Sequence, residues 1–468
     1  MLFSTLKSFY EDYQMPLAHV LHHVERRGLL VDQARLTELR LSIDADMKTQ
    51  AQLIKDTSGQ DVVVYVKERK TDDTLCLNSP KDVAKLLKLC GLKVPTDRKT
   101  HHETTNEVAL QRIFSDSGHA VPKAMLRIRE LTKVRGTYVN ATLFNNILYC
   151  SYIPHGTVGG RRSSRVSVFD IGTNHQNLPK YSDLGKAYRK CIVARPGKIF
   201  VACDQKGAED WIVQALIADN GGGEAGLDEL RSGTNRHQKL ACRIFTKPWE
   251  ECDKNHKTGA ILYYLAKKTR HGGNYDLRGR KMSEELAKEG RFFPDYVCDN
   301  FLEKFHEAEP EIRSVFHVYV QEKLKKTRQL ETPIGRRRSF LSLRPFSDNS
   351  SVFRDGYSYI PQSTVGDNNG LAILFCETVS PGLVVADGHD AIYLEVKDDL
   401  RSIREAVALL SEAYNRTLSF PNGTEIHIPQ EYEMGYSFGT LKTFEKDEVE
   451  KVYLSVQETD KNVTRNIN

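Results

Sequence analysis

The chain has 468 residues, 40% of them hydrophobic and 28% charged, a balance that builds packed cores and excludes a disordered polyelectrolyte. Its formal net charge is only +5, so any grip on nucleic acid has to come from local basic clusters rather than from overall charge. The length exceeds one compact core and predicts two to three packed subdomains. Nine cysteines, an odd number running from Cys76 to Cys376 without a C-x-x-C pair, do not look like a disulfide framework and suit structural thiols in a reducing compartment. The gaps among His237, Cys242, Cys252 and His256 do not match paired zinc-ligand spacing.

In chain order, 15–148 reads as a helical lobe, with apolar residues at three- and four-residue steps through Leu17, Val20, Leu21 and Val24. Within it, 61–73 holds the β-type run 62–66 and a charged turn, predicting a hairpin or a mobile tip. Ser79 before Pro80 is a helix start, and Gly91 is its stop. The helical run 123–143 carries Arg127, Arg129, Lys133 and Arg135, which either face phosphates or form a solvated face. At His155 the composition shifts: Gly156, Gly159 and Gly160 lead into Arg161, Arg162 and Arg165 among serines, a flexible cationic segment suited to a nucleic-acid backbone.

The apolar run 198–203 predicts a buried strand that delivers Asp204 at its end, followed by an amphipathic helix through Trp211, Ile212, Ala215 and Leu216. A helical block spans 237–326. In it Lys267, His271 and Tyr275 recur at steps of four, so one helical face presents a cation and two rings. Gly272 and Gly273 weaken that helix and signal a kink or a close backbone approach to a substrate. Two further strands, 383–386 and 392–396, flank a short turn containing Asp390. If this hairpin pairs beside the first strand, Asp204 and Asp390 converge as the paired carboxylates that two-metal phosphoryl transfer requires. Asp387 reads as the turn-former of its Asp-Gly dipeptide, with a spare metal ligand as the alternative. The residues after Phe444 read as a polar, weakly structured extension.

These segments, in this order, resemble the motifs of the DNA polymerase I family (family A), in a phage-like variant. Asp204-Gln205-Lys206-Gly207-Ala208-Glu209 is similar to motif A, D-x-S-G-x-E, and Gly388-His389-Asp390-Ala391 to motif C, V-H-D-E. Tyr263, Lys267, His271, Tyr275 and Asp276 fall on R-x3-K-x3-F-x3-Y-G. Gly159-Gly160-Arg161 with Ser163-Ser164 resembles T-G-R-L-S-S, and Asn174-His175-Gln176-Asn177-Leu178-Pro179 resembles N-L-Q-N-I-P. Arg189 matches the arginine before motif A, Gly335-Arg336-Arg337-Arg338 matches G-R-R-R, and 360–367 is similar to T-P-I-Q-G-T-A-A-D. The stretch 17–32, with Gly28, Val31 and Asp32, echoes the start of the family's thumb.

The resemblance implies an α+β, right-hand polymerase fold with an antiparallel-sheet palm, helical fingers and a helical thumb. It implies thumb and palm lead-in at 1–150, palm at 151–235 and 331–442, fingers at 236–330 and the polar extension at 443–468. The implied activity is that of a DNA-directed DNA polymerase using two Mg2+ ions, with Mn2+ as a substitute, on primer–template DNA and deoxynucleoside triphosphates. Asp204 and Asp390 would hold the metals, Lys267 and His237 the triphosphate; His271 would pack on the incoming nucleotide and Tyr275 on the template side. Glu209 would lie under the sugar and exclude a 2′-hydroxyl; Arg161 and Gln362 would read the minor groove, and Arg189, Arg336 and His389 would serve DNA binding.

The departures are Tyr263 for an arginine that meets the γ-phosphate, His271 for phenylalanine or tyrosine, Asp276 for glycine and Ala391 for glutamate. Triphosphate binding would then be either weakened or rerouted through Lys268 or Arg270. The alternatives are a polymerase-like protein that only grips DNA and a single-subunit RNA polymerase, which would lack a glutamate at position 209. Few residues precede the thumb, so no proofreading domain is expected; editing would come from a separate exonuclease or replication protein. With no apolar run of membrane-span length, the expectation is a cytoplasmic or host-cytoplasmic chain without a membrane partner.

Overall fold

A computed structural model describes residues 2–69, 71, 73–97, 100–180, 182–344, 347–388 and 390–465. It has two compact units: Met1–Gln33, Ala141–Leu277 and Phe301–Asn468 form the first, Ala34–Asn140 and Arg278–Asn300 the second.

The first unit is built around a five-stranded sheet. Its strands are β1 (Lys198–Gln205), β2 (Val384–Asp387), β3 (Ala391–Lys397), β4 (Gln430–Gly435) and β5 (Lys442–Phe444). They lie in the order β2-β3-β1-β4-β5, and every pairing is antiparallel. Central β1 is apolar along its length because Ile199, Phe200, Val201, Ala202 and Cys203 are all buried, on both of its faces. Helices α1 (Ala208–Asp219), α2 (Gly259–Asn274), α3 (Ser350–Val379), α4 (Leu400–Tyr414) and α5 (Val449–Arg465) belong to the same unit. The helices α3 and α4 pack on the sheet, and α1 packs on α3.

The C-terminal segment differs from the weakly structured extension expected of it. It forms α5, which packs on β4 and β5 at the edge of the sheet and buries Val449, Tyr453 and Val456. Those residues follow the spacing of one helical face, and an edge strand gains from such cover. Lys442 of β5 adds hydrogen bonds from Nζ to the Ser455 carbonyl at 3.0 Å and to Ser455 Oγ at 2.7 Å.

The second unit is mainly helical, with Pro80–Leu89, Glu107–Ser117, Ala120–Val134 and Gly279–Lys288 among its helices. Its core gathers Ile54, Leu75, Val83, Leu86, Leu87, Leu110, Val121, Met125 and Ile128. Ser79 caps its helix as the sequence predicts, accepting from the Asp82 amide with Pro80 in the first turn. The predicted hairpin at 61–73 is instead a parallel pairing of Val62–Val63 with Leu75–Cys76. The helical turn Val66–Glu68 lies in the connection, which is long enough to return the chain to the same end, as a parallel pair demands. Arg127 pairs with Asp46 and Glu130, Arg135 with Asp44, and Arg129 donates to the Thr105 carbonyl. These guanidinium groups are therefore engaged within their own unit. All nine cysteines are free; seven are buried, and Cys90 and Cys242 are half-buried. No described helix is long and apolar enough to cross a membrane.

Candidate active site

The register of the sheet brings the two candidate metal ligands together. Asp204, near the end of β1, lies opposite Ala391 of β3 and Glu431 of β4, and Asp390 occupies the bend immediately before β3. Burial, and then the charge of Asp390, raise the Asp204 carboxyl from 3.8 to about 7; Lys180 offsets this only in part. Asp204 Oδ1 is buried and has no hydrogen-bond partner among the described residues. Two like charges with an orphaned carboxylate oxygen fit a divalent cation, whose charge relieves the repulsion. Among the described residues no three His, Cys, Asp or Glu side chains gather as a complete metal cage. Further ligands for such a cation would come from backbone carbonyls, substrate or water.

A layer of buried polar side chains from α3 holds these strand ends. Asn368 Nδ2 donates to Gln205 Oε1 at 2.7 Å, and Gln205 Nε2 donates to the Val365 carbonyl at 3.1 Å. Arg416 Nη1 donates in turn to Asn368 Oδ1 at 2.7 Å. Asn369 Nδ2 reaches Asp387 Oδ1 at 2.9 Å. Asp387 is fully buried at the end of β2 and ion-paired with Arg162, so it is neither a spare metal ligand nor only a turn-former. The sequence flagged Arg162 as part of a cationic segment; its buried partner is separated from it by more than 200 positions and leaves no local signal.

On the other side of the turn after β1, Gly207 takes a left-handed conformation (φ +63°) that allows α1 to start at once and carry Glu209 in its first turn. Glu209 joins three candidates. Arg161 Nη2 pairs with its Oε1, Tyr275 Oη donates to its Oε2 at 2.5 Å, and His271 Nδ1 lies 3.8 Å from Oε2. His271 is 63% exposed by side chain. Lys267 is also exposed on α2. His237 has a buried Nδ1 without a partner among the described residues, and burial followed by the charge of Arg270 lowers its pKa to about 4. A neutral imidazole with an unused ring nitrogen can donate a hydrogen bond to an anion. Its ring meets Tyr263 edge-on at 5.7 Å.

Two sequence expectations for α2 change. Gly272 and Gly273 do serve close approach, but to protein: an added Cβ would lie 2.6 Å from Leu277 Cδ2 and 2.3 Å from Phe305 Cδ1. Arg270 does not reach toward a triphosphate; it is 2% exposed and pairs with Glu309 at 2.5 Å. Lys268 lies over the Tyr264 ring at 5.7 Å. Asp276, where the family motif has glycine, sits at φ +54°, a left-handed position after a helix that aspartate tolerates better than most side chains.

The remaining candidates divide. Gln362 is half-buried on α3, and the next residue, Ser363, donates from Oγ to the Gly159 carbonyl, so Gln362 and Arg161 belong to adjoining segments. Arg189 and Arg336 are both 9% exposed. Arg189 donates to the Phe438 carbonyl at 3.2 Å, and Arg336 is held by Asp367 through Nε at 2.8 Å and Nη2 at 2.6 Å. His389 lies outside the described residues.

The family model of DNA polymerase family A matches residues 45–437, most of the chain. The chain belongs to the family A DNA polymerases. This family A chain is 26% identical over 439 residues to the thermostable DNA polymerase I of Thermus caldophilus, covering 91% of this chain and 47% of that one. It is also 26% identical over 479 residues to the DNA polymerase of Escherichia phage T5, covering 93% and 53%. It thus spans about half the length of the curated relatives it matches. Its α+β fold is similar to the POL domain of Pol1 from M. smegmatis, solved with DNA primer-template and dNTP. That match has a TM-score of 0.74 and 20% identity, and covers 93% of this chain and 71% of the other.

Proposed function

We propose that this family A chain is a template-directed DNA polymerase that extends a primer 3′ end with deoxynucleoside triphosphates and does not itself proofread. The observation that carries the reading is the convergence of Asp204 and Asp390, a like-charged pair whose mutual repulsion a cation would relieve. In this reading the thumb lies at 1–150, the palm at 151–235 and 331–442 and the fingers at 236–330. Asp204 and Asp390 would hold two Mg2+ ions, for which Mn2+ would substitute. Bound there, such ions would supply activation of the primer hydroxyl and neutralisation of charge on the transferring phosphoryl group.

The protein's own groups do the rest. Lys267 and neutral His237 bind the triphosphate; His271 packs against the nucleotide, and Tyr275 stacks beside the nascent pair. Glu209, braced by Tyr275 and Arg161, fills the space under the sugar, where a 2′-hydroxyl would be left poorly paired. Arg161 and Gln362 read minor-groove acceptors, which are similar for every correct pair, so they test pair shape rather than sequence. Arg189, Arg336 and His389 support the DNA-binding surface, the first two through the backbone and carboxylate they hold.

Primer extension with four deoxynucleotides and Mg2+ tests the reading. Extension is expected, and a mismatched primer end should keep its length when nucleotides are withheld. Salt-sensitive DNA binding without extension would leave only a binder, and equal use of ribonucleotides would leave an RNA polymerase.

A further inference from the structure

Asp390 is carried on a short turn, and something has to fix that turn against the segment that reads the primer end. The turn is closed by the Gly388 amide donating to the Ala391 carbonyl at 2.8 Å. Its first residue, Asp387, is 1% exposed, and its amide and both carboxylate oxygens are bonded. Its amide donates to Tyr152 Oη at 3.0 Å, Oδ1 accepts from Asn369 Nδ2 at 2.9 Å, and Oδ2 accepts from Gln176 Nε2 at 3.3 Å. Arg162 closes on both carboxylate oxygens, with Nε 2.5 Å from Oδ2 and Nη2 3.1 Å from Oδ1. Its remaining nitrogen, Nη1, donates to the Gly366 carbonyl of α3 at 2.6 Å.

We infer that Arg162 and Asp387 are a positioning pair, which fixes the Asp390 turn and couples it to the primer-reading segment. The inference rests on the polymerase reading of this site. One guanidinium touches three pieces at once. Its own backbone follows Arg161, its Nη1 holds the α3 turn after Gln362, and its fork holds the residue that opens the Asp390 turn. A bidentate arginine fixes angle as well as distance, which a lysine or a single hydrogen bond does not.

The pair is also an expensive way to obtain stability alone. Both side chains are almost wholly buried, 2% and 0% exposed, and a buried ion pair seldom outperforms apolar packing of the same volume. The T-G-R-L-S-S motif that this segment resembles has leucine where Arg162 stands, so an apolar side chain is compatible with that place. Groups that orient metal ligands from behind change metal affinity by about 10–100-fold when removed. A primer end that seats Arg161 and Gln362 poorly would pull on the same guanidinium that aligns Asp390. Grip on the primer and readiness of the metal turn are thereby linked.

The test compares wild type with the double variant Arg162→Leu/Asp387→Asn, which removes both buried charges, and with Arg162→Lys. Three quantities are measured: Mn2+ affinity by calorimetry, the Mg2+ concentration giving half-maximal extension, and primer–template affinity without metal. The double variant should bind Mn2+ about tenfold more weakly and need correspondingly more Mg2+, with primer–template affinity changed by no more than about twofold. Arg162→Lys should shift the same way by less. A folded double variant with unchanged Mn2+ affinity would make the pair purely structural and overturn the inference. If the double variant does not fold, Arg162→Lys decides, and a lower Tm with unchanged Mn2+ affinity counts against the inference. Because Mn2+ binding needs no turnover, failure of wild type to extend a primer would sink the polymerase reading while this measurement still judged the pair.

Discussion

Asp204 and Asp210 flank the same strand-to-helix turn, and each has a buried oxygen without a hydrogen bond among the described residues, yet their proton affinities move in opposite directions. Around Asp210, burial favours the neutral form, but Arg236 at 2.7 Å and Arg270 at 3.8 Å overcome it and hold the carboxyl below its ordinary value. Around Asp204, burial and Asp390 act together, and the carboxyl rises to about 7. The difference teaches that an orphaned oxygen is not itself a site. What distinguishes a ligand from a strut is whether the protein has already supplied the counter-charge.

The strongest way to break this comparison is to exchange the two roles. Asp204→Asn or Asp390→Asn should cost about 10²–10³-fold or more in extension rate, with primer–template affinity nearly unchanged. An active Asp390→Asn protein, measured by single-turnover extension, would end the two-carboxylate reading. Next in size is Glu209→Ala, which removes the group braced by Tyr275 and Arg161. It should raise ribonucleotide use relative to deoxynucleotide use by about 10²-fold, read as the ratio of kcat/KM for the two sugars. A ratio that stays put while both activities fall would reduce Glu209 to a helix-start residue.

Asp210→Asn should do the reverse of Asp204→Asn. It leaves Arg236 and Arg270 short of a partner, so stability should drop by about 1–3 kcal/mol, while extension per folded molecule is kept. Denaturant unfolding beside an active-site titration separates the two effects. The smallest expected effect is on pH. Because the Asp204 carboxyl titrates near 7 when folded and near 3.8 ordinarily, the folded chain keeps a proton that the unfolded chain has lost across that window. Stability without metal therefore falls as pH rises from about 4 to about 7, and this group takes nothing further from it above that. Mg2+ competes with that proton, so it should raise Tm more at about pH 8 than at about pH 6, and Asp204→Asn should abolish the difference.

Much of the site was legible because its residues sit at signals that local sequence carries. Asp204 ends an uninterrupted apolar run, Asp390 sits in a turn between two strands, and the four-residue steps of Lys267, His271 and Tyr275 need only helical geometry. The Arg162–Asp387 pair was not legible, since its partners lie far apart in the chain and each has an adequate local explanation. Gly273 misled for a related reason: a glycine reports close approach but not what approaches, and here it is Phe305. At the C-terminus, a polar composition concealed Val449, Tyr453 and Val456, whose helical spacing was the informative part. The parallel pairing of Val62–Val63 was hidden by a turn signal that normally announces a hairpin.

The free thiols have a practical consequence. Seven are shielded, leaving half-buried Cys90 in one compact unit and half-buried Cys242 in the other. A maleimide reagent should therefore reach these two first, giving a dye pair on the native sequence without engineered attachment points. Energy transfer between the dyes, followed as primer–template and then a nucleotide are added, would time any change in their separation against primer extension.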